Sequence, residues 1–110
     1  MEREVIFSKR VELYIDELML LLFEEEYFGF PDSAKLYVDH LISYVEKNIG
    51  IYPGKIAPDY FKRFGQNMKY ITCRANKSTS WYIFYQERNS IYLIRYITNN
   101  HVAAQYFDKE

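Results

Sequence analysis

Apolar positions recur through the first half of the chain at the three- and four-residue spacing of amphipathic helices. In the second half they gather into short continuous runs typical of strands. Glu4-Val5-Ile6-Phe7 predicts a first strand, and Ser8 then offers an N-cap to a long helix. Val11, Tyr14, Ile15, Leu18, Leu21 and Leu22 fall on one face of that helix, and Leu20 and Phe23 widen it, which predicts more than one neighbour. The acidic run Glu24–Glu26 stands in the last turn, against the helix dipole, and Gly29 and Pro31 end the helix after Tyr27-Phe28. Asp32 or Ser33 caps a second helix with Ala34, Tyr37, Val38, Leu41, Ile42, Val45 and Ile49 on one stripe, closed by Gly50.

Pro53, Gly54, Pro58 and Gly65 mark residues 51–67 as a loop, with one helical turn at Asp59–Phe64. Strands follow at Lys69–Arg74, Trp81–Gln86 and Ile91–Thr98, the last two joined by the tight turn Glu87-Arg88-Asn89-Ser90, in which Asn89 takes a positive φ. Asn99 or Asn100 caps a short final helix running through Phe107. The order β-α-α-β-β-β-α predicts an α+β fold, an N-terminal helical hairpin packed on a small antiparallel sheet. Trp81, Ile83 and Tyr85 share one face of their strand, and Tyr82, Phe84 and Gln86 the other. One face meets the helices; the other is expected to display rings in a concavity.

Composition narrows the class. A chain of 110 residues is one domain, 1–110, and 49% apolar content supports a single core. The content of 19% aromatic residues, with few Gly and Pro, excludes a disordered tail or a collagen-like repeat. The lone Cys73 excludes an internal disulfide, and the longest apolar run, Leu18–Phe23, is far short of a membrane span. The start Met1-Glu2-Arg3-Glu4 lacks the basic and apolar stretches of a secretory signal, so a soluble, cytoplasmic protein without membrane partners is expected. Residues 1–54 carry 5 Lys and Arg against 11 Asp and Glu, whereas residues 55–110 carry 9 against 4. Such a split suits an anionic partner on the second half only, or simply two solvated faces of opposite sign.

Candidate chemistry is sparse. No phosphate-cradling loop, dinucleotide fingerprint or zinc spacing occurs, and with only His40 and His101 no metal site or cofactor is expected. The strongest feature is basic: Lys55, Lys62, Arg63, Lys69, Arg74 and Lys77 interleave with Tyr60, Phe61, Phe64 and Tyr70. Cations that grip phosphates beside rings that stack bases suit single-stranded RNA; an ordinary solvated loop is the alternative. Arg95 stands alone in an apolar strand, either snorkelling or held on a functional face. His101 follows the last strand at a junction where functional groups concentrate, or where a histidine caps a helix.

Taken together, the run Trp81-Tyr82-Ile83-Phe84-Tyr85, a polar turn, Ile91-Tyr92-Leu93-Ile94-Arg95-Tyr96-Ile97 and the junction Asn99-Asn100-His101 resemble the RelE/ParE superfamily of type II toxin–antitoxin toxins, the plasmid stabilisation proteins. The resemblance covers essentially the full chain. It implies a RelE/ParE-like fold, a cognate antitoxin as partner, and one of two targets: the ribosome, where the toxin cleaves mRNA, or DNA gyrase, which it poisons without catalysis. By position it implies His101 and Arg74 as catalytic residues, with His101 protonating the leaving 5′-oxygen and Arg74 and Arg95 neutralising the phosphorane. RNA contacts fall to Lys62, Arg63, Lys69, Lys77, Tyr82, Arg95 and Tyr106. The strand that supplies lysines in the ribonuclease branch reads Tyr70 and Thr72 here, and Tyr82 replaces the arginine of the next strand. An inactive scaffold that only binds a protein partner is the third reading.

Overall fold

The computed structural model describes residues 2–24 and 31–107. Strand β1 (Glu4–Phe7) leads into α1 (Lys9–Glu24), and α2 (Pro31–Asn48) is followed by β2 (Lys55–Ile56) and a 3-10 helix (Asp59–Phe64). Then come β3 (Lys69–Arg74), β4 (Ser80–Arg88), β5 (Ile91–Asn99), the short helix α3 (Asn100–Ala103) and a last 3-10 turn (Ala104–Tyr106). The α+β class holds. The sheet, however, is mixed and five-stranded, in the order β1-β5-β4-β3-β2, and β1 lies parallel to β5 while the other pairs are antiparallel. This corrects the antiparallel expectation. Two helices separate β1 from the rest of the sheet, and a crossover of that length permits parallel pairing. Strand β2 is only two residues long, too short to leave a periodic signal.

Ser8 caps α1 by accepting a hydrogen bond from the Val11 N–H at 3.3 Å. The apolar end expected over residues 27–30 lies outside the described residues. Helix α2 begins at Pro31, so Asp32 and Ser33 stand inside its first turn rather than ahead of it. Proline is well suited to the first helical position because its missing N–H would have no intrahelical partner there. Gly50 ends α2 at φ +80°, and a Cβ on it would come within 2.5 Å of the Tyr92 ring, so both the backbone angle and the close approach require glycine. Between β4 and β5, Asn89 and Ser90 both hold positive φ, 51° and 68°, the pair of angles a two-residue type I′ turn needs.

One sheet face packs against the helices. Val11, Ile15 and Leu18 of α1 and Val38, Leu41, Val45 and Ile49 of α2 meet Ile71, Trp81, Ile83, Tyr85, Tyr92, Ile94 and Ile97 from the strands. Each fully buried aliphatic side chain there contributes roughly 1.5–3 kcal/mol. The Trp81 indole N–H donates to the Tyr37 hydroxyl at 2.8 Å, which satisfies the one polar atom of a buried ring. The opposite face is not an open concavity. Phe61 and Phe64 of the 3-10 helix, with Tyr106 and Phe107 of the C-terminal turn, close over Tyr70, Tyr82, Phe84 and Tyr96 as a second aromatic layer. Phe61 stacks on Phe84 with centroids 4.3 Å apart, and Phe64 on Tyr96 at 3.8 Å. A sheet bearing apolar rings on both faces must cover both, and the nearest chain available for the second is the loop between β2 and β3.

Candidate functional site

The end of the sheet that carries His101 is built by three asparagines. Asn76 orders the β3–β4 loop, its side-chain oxygen accepting from the N–H groups of Ser78 and Thr79 at 2.9 Å each. Asn99 caps α3 by accepting from the N–H groups of His101 and Val102. Asn100 ties the two together, accepting from Ser80 N–H at 2.8 Å and donating to the Ser78 carbonyl at 3.0 Å. His101 is thereby fixed in the first turn of α3, exposed, with Nε2 2.9 Å from the Thr79 hydroxyl. Arg74 closes β3 at the same end of the sheet, opposite Ser80, and donates from Nε to Asn76 O and from Nη2 to Lys77 O, both at 3.1 Å. Its guanidinium therefore braces the loop with part of its donor set. Lys77 rides on that loop and is exposed.

The remaining sequence-predicted residues fall elsewhere. Lys62 pairs with Asp59 at 3.2 Å on the solvated side of the 3-10 helix. Lys69 starts β3, exposed, in register with Ile56 and Tyr85. Tyr82 and Tyr106 belong to the aromatic layer: Tyr82 packs on Phe107 at 4.4 Å, and Tyr106 stacks on Tyr60 at 3.5 Å. A hydrogen bond with Tyr60 pushes the Tyr106 phenol above its ordinary value, and burial does the same for Tyr70. Both shifts favour the neutral phenol over the phenolate, which argues against either ring as a base.

Arg95 occupies a β-bulge. Tyr85 pairs with Ile94 and Phe84 with Tyr96, which leaves Arg95 as the extra residue of β5. It lies four residues before Asn99, roughly 13 Å along the strand, and so does not join His101. Instead it lines a small pocket of about 160 Å³ with Ser8, Arg10, Arg63 and Phe64. The Arg63 guanidinium lies 3.9 Å over the Tyr60 ring and donates from Nε to the Tyr60 carbonyl. Arg10 sits over Phe64 at 5.4 Å. Arg10 was not among the sequence candidates, although a signal existed: Lys9 and Arg10 put two cations into the first turn of α1, where the dipole disfavours them. Thr79 was missed for want of any local pattern, and Asn100 was read only as a possible helix cap, since their partners here are 20 or more residues away.

Among the described residues no group of three His, Cys, Asp or Glu is placed to hold a metal ion, and no helix is long and apolar enough to cross a membrane. No family model matches the chain, and no curated protein and no solved structure matches it either.

Proposed function

We propose that the chain is a RelE/ParE-type toxin, restrained by a cognate antitoxin, that acts on translation by ribosome-associated mRNA cleavage. The observation that carries this reading is His101: exposed, held by a capped helix start, and sharing one end of the sheet with Arg74 and Lys77. The helical hairpin on one face of the β3–β4–β5 meander supports the same reading.

In this mechanism the substrate's own 2′-hydroxyl attacks the adjacent phosphorus, its proton passing to solvent water, and the bond to the 5′-oxygen breaks. A 2′,3′-cyclic phosphate and a 5′-hydroxyl are left. Protonated His101 gives its proton to the departing 5′-oxygen, Thr79 holds the imidazole, and Arg74 and Lys77 meet the charge that builds on the phosphorane. Arg95 has no part in it, because it lines a different pocket.

Arg74's two bonds to loop carbonyls and the covered aromatic face favour a second reading, in which the chain is a non-enzymatic binder of antitoxin or gyrase. Pulse labelling of protein and DNA synthesis in the minutes after induction separates these readings. Translation collapsing first, with His101→Ala abolishing the effect in a protein that still folds, supports cleavage. DNA synthesis failing first, indifferent to His101→Ala, supports gyrase. Soluble protein accumulating with neither affected leaves only a partner-binding scaffold.

A further inference from the structure

Two local features of this chain each carry a cost, and they converge with a third cation on one pocket. Arg10 places a cation in the first turn of a 16-residue helix, at the positive end of its dipole. Arg95 sits on a bulge that interrupts the β4–β5 ladder. Arg63 adds a third guanidinium to the same pocket, and among the described residues none of the three has a carboxylate partner. Glu12, the nearest acidic residue in sequence to Arg10, lines a separate pocket with Asp16 and Glu46. Three like charges lining so small a space repel one another unless an anion joins them.

We infer that Ser8, Arg10, Arg63 and Arg95 form a phosphate-binding site. The rings of Phe64 and Tyr60 hold Arg10 and Arg63 by their faces, which fixes the guanidinium planes without neutralising them. Among the described residues Arg95 makes only a 3.5 Å contact with Gln86 Oε1, at the outer limit of a hydrogen bond, so they leave its fork open. The Ser8 oxygen accepts from Val11 N–H and leaves the hydroxyl proton to donate. A flat carboxylate satisfies one arginine fork, whereas a tetrahedral oxyanion offers oxygens to three forks and a hydroxyl together. The ligand is therefore a phosphate group, either a phosphodiester of single-stranded nucleic acid or a free phosphate. The site takes Arg63 and Arg95 from the residues that the toxin resemblance implies for RNA, adds Ser8 and Arg10, and uses none of the residues at the His101 end.

The test is titration of the full chain with inorganic phosphate at constant ionic strength, with chloride as the balancing salt, followed by the melting temperature and the arginine Nε–H resonances. The expected result is a saturable rise in melting temperature and saturable shifts of the Arg10, Arg63 and Arg95 signals. Arg10→Gln, on an exposed helix turn, and Arg63→Gln each weaken binding about tenfold or more, the equivalent of one charge-assisted hydrogen bond. Arg88→Gln, in the β4–β5 hairpin, leaves binding unchanged. A short single-stranded DNA that displaces phosphate identifies the backbone source, and binding that DNA does not compete with identifies a free phosphate. No saturable difference from chloride overturns the site, as does binding that survives the double variant. Glutarate binding more tightly than phosphate overturns it too and assigns the pocket to an acidic peptide. Because neither readout involves toxicity, the site and the His101 mechanism stand or fall separately.

Discussion

Truncating Phe61 to alanine tests whether the second sheet face is a packed layer or a platform open to bases. Phe61 is 0% exposed and touches four rings besides Phe84: Tyr60 and Phe107 at 5.1 Å, and Tyr96 and Tyr106 at 6.2 Å. Removing a buried phenyl ring costs about 3–5 kcal/mol, and the upper part of that range applies here because the neighbours belong to separate elements that cannot collapse together. That is a large share of the roughly 5–15 kcal/mol that holds a domain folded, and at about 4 °C per kcal/mol it lowers the melting temperature by about 16–20 °C. Urea unfolding followed in parallel by Trp81 fluorescence and far-ultraviolet circular dichroism reads the loss. Trp81 is the only tryptophan and lies in the helix-side layer, so it reports from the opposite face of β4. If the two layers form one cooperative unit, both midpoints fall together by the full amount. A loss below about 1 kcal/mol would refute the packed layer. An unmoved Trp81 transition beside a lowered far-ultraviolet midpoint would show the two layers to be separate units.

Other outcomes follow from single contacts. Tyr37→Phe leaves the buried Trp81 N–H without its 2.8 Å acceptor and should cost about 1–3 kcal/mol, read by urea unfolding, with a shift in tryptophan emission. Asn99→Ala removes the cap of α3 and should cost about 1 kcal/mol, while broadening the His101 imidazole resonances, because the backbone N–H of His101 loses its acceptor. Burial, with smaller effects from Tyr96 and Tyr37, pushes the Tyr14 phenol up to about 12 from its ordinary 10.0. The folded state then keeps a proton that the unfolded chain releases, so stability is whole below pH 10 and falls as pH rises toward 12. Tyr14→Phe should flatten that decline in urea titrations at pH 9 and pH 11. Burial raises the Cys73 thiol above its usual range, so its reaction with a disulfide reagent at pH 8 should be slower than that of an unfolded control, and a rate equal to the control's would overturn the assignment.

Much of the fold was legible because its signals are local. The α2 stripe, the Val11, Ile15 and Leu18 part of the α1 stripe, the N-cap at Ser8, the αL turn at Asn89 and the cap at Asn99 all depend on residues within a few positions of one another, and each reappears in place. Leu20 and Leu21, expected on the packed face of α1, are exposed instead. The site was legible in part. His101 was picked out from its place at an element end and Arg74 from the basic run and the family resemblance, and the sheet register places both at one end of the sheet. Arg63 and Arg95 were singled out as cations, but not as neighbours.

The sequence alone determined the types of the longer elements, the helical hairpin, the α+β class and the opposite charge of the two halves, since periodicity, capping and composition need no distant partner. Only the tertiary structure decided the parallel seat of β1 beside β5 and the closure of Phe61 over Phe84. The bulge that frees Arg95 toward Arg10 was decided there as well. These depend on contacts between segments tens of residues apart, where pairing geometry and the need to cover apolar surface outweigh anything a short window of sequence encodes.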